Sequence, residues 1–209
     1  MPPPPTLRIA EIFGSVQGEG LRQGQPTVFI RLAGCNLRCP FCDTKTARRG
    51  GRRMTPAGVV AAVVRLRRRW PADWADITGG EPMLQDLEPL VRGLRAEGLS
   101  VQVETNGTVF RPAPYDWITV SPKPPDYAVA PDFRSRAREV KLVVTPDLAY
   151  AVLKSLRRRF PENVPLILQP RSNSRTCGAR AVRLLGRAME EGKANIRLGV
   201  QLHRVLGAR

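Results

Sequence analysis

The chain has 209 residues, is 42% hydrophobic and 25% charged, and carries a formal net charge of +16. That length suits one domain with a real core, and the composition excludes a disordered chain. No run of about 18 apolar residues occurs, so no membrane span is expected, and four cysteines are too few for a disulfide-framed secreted scaffold.

The start, MPPPP, has no positive region followed by an apolar stretch, so no secretory signal is expected and the chain is placed in the cytoplasm with reduced thiols. Glu11 to Gly20 (EIFGSVQGEG) precedes the first barrel strand, and its glycines around Gln17 and Glu19 read as a loop that folds over something. Thr27 to Leu32 reads as a buried strand ending just before a cysteine loop. Pro56 to Arg69 reads as a helix capped by Thr55, with Pro56 at its first position. Asp76 to Thr78 is a short strand entering Gly79-Gly80, and Asp86 to Glu97 is a helix stopped by Gly98. Strands are expected at Val101 to Glu104, Trp117 to Val120 and Glu139 to Val144. A helix over Asp147 to Arg159, a strand over Leu166 to Gln169, a helix over Ala179 to Glu191 and a closing strand over Ile196 to Leu202 complete the chain.

Short apolar runs alternating with amphipathic ones mark βα units, whose strands are mostly parallel. The expected fold class is α/β: about six parallel strands curling into part of a barrel. The unusual residues fall at the C-terminal ends of these strands: the cysteine loop, Thr78 to Pro82, Glu104 to Thr108, Ser121-Pro122-Lys123 and Gln169-Pro170. Parallel α/β folds bind ligands at that edge. Ordinary turns also favour Gly, Pro, Asn and Ser, so a purely structural reading of the clusters stays open.

Cys35, Cys39 and Cys42 are spaced C-x3-C-x2-C. A structural zinc site wants four ligands, usually as two pairs, and Cys177 stands alone far downstream. A [4Fe-4S] cluster held by three cysteines, with one iron open to a small ligand, fits better. A degenerate zinc knuckle using His203, or inert buried thiols, are the alternatives. The positive charge suggests nucleic acid. Against that, only five of the 34 basic residues are lysine, and aromatics do not interleave with the arginine runs as a single-strand platform requires.

Glycine at positions 79 and 80 lets backbone approach a ligand closely, and Glu81 offers a carboxylate to an ammonium group. Ser121 and Lys123 can donate to a ribose or carboxylate. Gln169 suits adenosine, and Asn106 is either another such contact or a turn residue. Arg31 can fork onto a substrate carboxylate. Asp43 and Thr44, just past the last cysteine, can face a cation.

The cysteine spacing, with Phe41 between the second and third thiols, resembles the signature of the radical S-adenosylmethionine (SAM) family. QGEG, GCNLRCPFCDT, TGGEP, ETNGT, SPK and QLH, in that order, resemble its 7-carboxy-7-deazaguanine synthases. The resemblance implies a single radical SAM domain over 1–209: a substrate-capping extension (1–26), a partial barrel core with reduced helices (27–170) and a C-terminal helix and strand (171–209). It implies conversion of 6-carboxy-5,6,7,8-tetrahydropterin to 7-carboxy-7-deazaguanine with loss of ammonia, SAM being used catalytically. It assigns Cys35, Cys39 and Cys42 to the [4Fe-4S] cluster and Thr44 to Mg2+. Phe41, Cys42, Asp43, Gly80, Glu81, Ser121, Pro122, Lys123 and Gln169 fall to SAM. Val16, Gln17, Gly18, Glu19, Arg31, Thr78, His203 and Arg209 fall to substrate. It also implies a homodimer and an electron donor such as flavodoxin or ferredoxin, with no nucleic-acid or membrane partner. An activating enzyme that places a glycyl radical on another protein, and a basic RNA-binding metalloprotein, are the rival readings.

Overall fold

In the computed structural model residues 5–208 are described; Met1 to Pro4 and Arg209, a candidate substrate contact, lie outside them, as does the side chain of Thr46. The chain divides into two compact units. The first comprises the chain up to Val16, Pro26–Thr105 and Val109–Ile118; the second comprises Gln17–Gln25, Asn106–Thr108 and the chain from Thr119.

The first unit is built on β1 (Leu7–Val16), β2 (Pro26–Leu32), β3 (Arg52–Met54), β4 (Trp74–Gly79) and β5 (Ser100–Thr105), in the order β3-β1-β2-β4-β5. β1 is antiparallel to both β2 and β3, whereas β2, β4 and β5 run parallel. Side chains alternate between the faces of a strand. Register therefore puts Val28, Ile30 and Leu32 on one face with Ala75, Ile77, Val101 and Val103, all buried. The first unit's two helices, α1 (Pro56–Arg67) and α2 (Glu88–Ala96), contribute Val59, Val63, Leu90, Val91 and Leu94 to its core. The opposite face is polar. Glu11, Arg31 and Thr78 form one row across it, and Asp76 and Gln102 lie in the next, fully buried.

The strands of the second unit are β6 (Trp117–Val120), which enters it at Thr119, β7 (Glu139–Val144), β8 (Leu166–Pro170) and β9 (Ile196–Leu198), parallel and in chain order. Val120, Val140, Leu142, Leu166 and Leu168 share the apolar face. α3 (Tyr150–Arg159) and α4 (Arg175–Glu190) supply the buried Leu153, Leu156, Cys177, Ala181 and Leu184. Thr119, Glu139, Lys141 and Gln169 lie on the other face, each at most 3% exposed. The same division recurs in both units: one face of each sheet is hydrocarbon, the other carries the groups able to recognise a ligand.

The helix caps follow the sequence. Thr55 Oγ1 accepts from Gly58 N at 3.1 Å, Pro56 opens α1, and Gly98 takes φ 77° after α2. Several elements differ from expectation. β1 is a strand that was not expected, paired residue by residue with β2 from Glu11↔Arg31 to Val16↔Pro26; the loop around Gln17 and Glu19 follows it. β3 is an added antiparallel strand. The closing strand stops at Leu198, and Leu202–Leu206 forms a short helix, α5, ended by Gly207 at φ 64°. α4 starts four residues early because Ser174 caps it, its hydroxyl accepting from Cys177 N at 3.3 Å. α2 and α3 each start later, at Glu88 and Tyr150.

Candidate functional site

The cysteine loop leaves β2 after Leu32. Its start is fixed by backbone: Gly34 N donates to Ala47 O at 2.8 Å, and Glu81 N donates to Gly34 O at 2.8 Å. Gly80 is the reason Gly34 can come so close. A Cβ on residue 80 would sit 2.0 Å from Gly34 O and 3.0 Å from Cys35 Cβ. A Cβ on Gly79, which has φ 133°, would meet Leu32 O at 2.2 Å. The double glycine at the end of β4 thus seats the strand end directly beneath the first cysteine.

Cys35, Cys39 and Cys42 form no disulfide and are each half-buried, whereas Cys177 is buried in α4. Burial raises the Cys35 pKa, and the Glu81 carboxylate with the neighbouring thiols adds to this; the hydrogen bond from Leu37 N to Cys35 Sγ opposes it at 3.4 Å. A nearby cation is what such a thiol needs to ionise. Among the described residues no three His, Cys, Asp or Glu side chains are gathered to hold a single metal ion. A cubane takes its cysteines on separate iron corners, and the donor set of three thiols on one loop fits that group.

Arg48 holds the loop from outside, its guanidinium donating to Cys39 O. Cys42 N donates to Cys39 O at 3.3 Å, and Thr44 Oγ1 lies 3.8 Å from Cys42 Sγ. Thr44 occupies the cap of the short turn Lys45–Arg48 yet makes no side-chain cap bond. Phe41 is half-buried and Asp43 exposed.

Glu81 is fully buried, and its carboxylate accepts from Thr105 Oγ1 at 2.7 Å and from Met83 N at 3.0 Å. Arg31 Nε donates to Glu11 Oε1 at 2.7 Å, and its guanidinium lies 5.7 Å from the centre of the Phe13 ring. Phe13 in turn stacks on Phe29 at 5.2 Å. The arginine is therefore aimed by an acid and a ring from the strand beside it. Thr78, its register partner on β4, is half-buried. Val16, also half-buried, closes β1.

In the second unit the loop from Gln17 to Gln25 is closed by backbone bonds in both directions between Gln17 and the pair Gly24 and Gln25, each 2.8 Å. Glu19 is its chemical centre. One carboxylate oxygen accepts from Lys141 Nζ at 2.8 Å, the other from Gln201 Nε2 at 2.8 Å. Burial works against ionisation, but the Lys141 ammonium, the two hydrogen bonds and His203 outweigh it and bring the pKa down to about 2. Gln201 is itself anchored by reciprocal bonds with Asn173, 2.8 and 2.9 Å. Glu139 accepts from Leu21 N at 2.7 Å and Thr119 Oγ1 at 2.8 Å. His203 packs on Gly18 so closely that a Cβ there would lie 2.0 Å from Nδ1, and Leu202 N donates to Gly18 O at 2.8 Å.

Lys123 Nζ donates to both Ser121 O and Ser121 Oγ at 2.6 Å, and Ser121 Oγ donates to Lys141 O at 3.0 Å; Pro122 between them is buried. Both amide atoms of Gln169 are buried without a hydrogen-bond partner. A buried amide left open in this way is costly unless a ligand completes it. It fits a nucleoside that can both donate and accept. Asn106 takes the turn role: its Oδ1 accepts from Thr108 N at 2.9 Å and Thr108 Oγ1 at 2.7 Å.

The sequence did not single out Glu11, Lys141, Glu139, Gln201 or Asn173. A lysine and a glutamate inside the apolar run EVKLVV were the available signal, since charges in a buried strand need partners.

The radical SAM superfamily model matches residues 29–168. The chain is 36% identical to a 7-carboxy-7-deazaguanine synthase of Rhodospirillum rubrum, over 96% of this chain and 92% of that one. It is 37% identical to one of Aquifex aeolicus over 88% and 87%. The crystal structure of QueE from Escherichia coli superposes with a TM-score of 0.80 at 30% identity, covering 95% of each chain. The fold class is accordingly the α/β partial TIM-like barrel of the radical SAM type, with mostly parallel strands and few helices. Full-length identity to these synthases, a cysteine loop at the end of the first parallel strand and a glycine pair seated beneath it together place the chain in the 7-carboxy-7-deazaguanine synthase family of the radical SAM superfamily.

Proposed function

We propose that this chain converts 6-carboxy-5,6,7,8-tetrahydropterin to 7-carboxy-7-deazaguanine with release of ammonia, in queuosine and deazapurine biosynthesis. The observation that carries the reading is the match to the synthases along almost the whole chain, centred on three cysteines of one loop, none of them in a disulfide. Cys35, Cys39 and Cys42 hold the [4Fe-4S] cluster. When bound, the cluster and SAM supply the one-electron chemistry that activates the substrate by hydrogen abstraction, the SAM being regenerated.

The residues bind, aim and shield. Gly80 brings backbone near the cofactor's amino group, with Glu81 fixing the local turn. Phe41, Cys42 and Asp43 line the cofactor from the cysteine loop. Ser121, Pro122 and Lys123 serve its ribose and carboxylate, and Gln169 its adenosine. Arg31, oriented by Glu11, clamps the carboxylate of the pterin. Glu19 stays ionised at neutral pH and accepts N–H groups from the pterin's amino-pyrimidinone edge. Val16, Gln17, Gly18, Thr78 and His203 complete substrate recognition, and the terminal carboxylate of Arg209 is proposed as a further contact. Mg2+ is proposed at Thr44, whose hydroxyl is not used as a cap; a hard cation there suits oxygen ligands and neutralises substrate carboxylate.

The same reading divides the chain into a capping segment (1–26), a core (27–170) and a C-terminal segment (171–209), assembled as a homodimer. No helix among the described residues is long and apolar enough to cross a membrane. We place the enzyme in the cytoplasm, with a protein electron donor. The test is direct: anaerobically reconstituted protein, substrate, SAM, Mg2+ and reductant should give the deazaguanine product by mass spectrometry. Cluster-loaded protein that cleaves SAM yet makes no such product sinks the substrate assignment.

A further inference from the structure

Gln201, just beyond β9, uses half of its side chain. The residue is 6% exposed. One carboxamide grips its main chain from both sides: Gln201 N donates to Asn173 Oδ1 at 2.8 Å, and Asn173 Nδ2 donates to Gln201 O at 2.9 Å. Asn173 reaches it from the turn after β8, where Ser172 and Asn173 take left-handed φ of 53° and 52°. Asparagine tolerates that conformation better than most side chains. Gly199 lets the same segment pass against Gln169, since a Cβ there would lie 2.6 Å from Gln169 Oε1. With its main chain fixed, Gln201 sends Nε2 to Glu19 Oε1 at 2.8 Å. The amide cannot face the other way, because Glu19 is an ionised carboxylate and can only accept. That leaves Gln201 Oε1, which is buried without a hydrogen-bond partner among the described residues. A buried acceptor left open is costly unless a ligand closes it.

We propose that Gln201 is a specificity-determining residue of the pterin site: its open carbonyl accepts one hydrogen of the substrate's exocyclic amino group. The other amino hydrogen, and the ring N–H beside it, go to Glu19. The inference rests on the reading that Glu19 receives the amino-pyrimidinone edge of the pterin. A count of partners supports it. A carboxylate has about four lone-pair sites. Lys141 Nζ takes one on one oxygen and Gln201 Nε2 takes one on the other, so each oxygen keeps a single site for a ligand. The amino-pyrimidinone edge offers three hydrogens, two on the amino nitrogen and one on the ring. The third needs an acceptor beside Glu19, and Gln201 Oε1 sits on the amide that already touches it. Asn173 is a positioning residue, acting through the main chain of Gln201. Sites built to receive a ligand N–H reject analogues that lack it, because their own buried acceptors are left unpaired.

Calorimetry on cluster-loaded protein with SAM tests this with three probes that are not turned over. They are 6-carboxypterin, its N2-methyl derivative, in which a methyl replaces one amino hydrogen, and 6-carboxylumazine, in which oxygen replaces the amino group. The parent should bind 6-carboxypterin at least about tenfold more tightly than either analogue. In Gln201→Ala the affinity for 6-carboxypterin should fall about tenfold, whereas the N2-methyl probe should bind as well as it does to the parent, the methyl entering the space vacated. Gln201→Met keeps the volume but has no oxygen, and should lose about tenfold of the preference for 6-carboxypterin over 6-carboxylumazine. Asn173→Ala should erode the same preferences by a smaller factor. A glutamine that only supports the loop would lower all three affinities by one common factor, so unchanged ratios in the Gln201 variants overturn the proposal. Should Gln201→Ala fail to fold, the ratio in Gln201→Met decides. A parent that binds 6-carboxypterin and the N2-methyl probe equally overturns the proposal alone. A parent with no affinity for 6-carboxypterin overturns the substrate reading, and this proposal with it.

Discussion

The Lys141 ammonium lies 2.8 Å from a carboxylate oxygen of Glu19, and only 4% of the lysine side chain is exposed. The pair fastens the loop that carries Gln17 and Gly18. Glu19→Gln leaves a buried ammonium facing a neutral amide, and should cost about 2 kcal/mol of stability at neutral pH. The pH dependence has a definite sign. The folded carboxyl has its pKa depressed from 4.5 to about 2, so its contribution is whole above about 4.5 and is lost as pH falls towards 2. Denaturant melts should show the gap between parent and variant closing across that window. A gap that persists unchanged at pH 2 refutes the assignment.

His203 and Gly18 form a second pair that a double-mutant cycle can read. Gly18→Ala places a methyl 2.0 Å from Nδ1 of His203 and should cost about 1–3 kcal/mol. In a His203→Ala background the same substitution should cost much less, because the ring that it strikes is gone. Additive losses would mean that the loop strain comes from elsewhere.

Gly80→Ala is expected to be severe, since the obstructing atom is the backbone oxygen of Gly34 rather than a movable side chain. The cysteine loop must shift, and iron incorporation should fall well below half of the parent's. Gly178→Ala is the contrasting case. It lies in α4 with nothing within 4 Å of a new Cβ, so about 0.5–1 kcal/mol of added stability is expected. Thermal melts and iron assays on the two variants separate local obstruction from a general effect of alanine.

Cys35→Ala, Cys39→Ala and Cys42→Ala should each abolish the brown colour of anaerobically reconstituted protein. Cys177→Ala should keep it, with about 1 kcal/mol lost to the small void in the α4 core. Colour surviving in any of the first three removes that cysteine from the ligand set.

The parallel strands were legible because TVFIRL, EVKLVV and LILQ are short apolar runs, and a buried strand writes itself as such a run. β1 was not legible. Glu11 interrupts its apolar pattern and Gly14 interrupts its side chains, while both belong to a two-stranded pairing whose partner, β2, lies beyond the loop. Gly14 is glycine because a Cβ would meet the Trp70 ring at 2.5 Å, a contact no local pattern reveals. The end of the chain misled for the opposite reason: IRLGVQL alternates like a strand as far as Leu202, yet Gly18 O receives Leu202 N and starts a helix too short to show a helical period. In the site, the cysteines and the glycine pair were readable from spacing. Lys141, Gln201 and Asn173 were not, since Lys141 and Gln201 meet Glu19 from 122 and 182 residues away.

Those separations bear on how the molecule is made. The segment Gln17–Gln25 is synthesised well before its partners: its acid finds its ammonium only when residue 141 has emerged, and its amide partner only at residue 201. Until then a carboxylate destined for the interior remains in water, and the loop pays a long closure cost with no return. Partners made long after the loop set it in place.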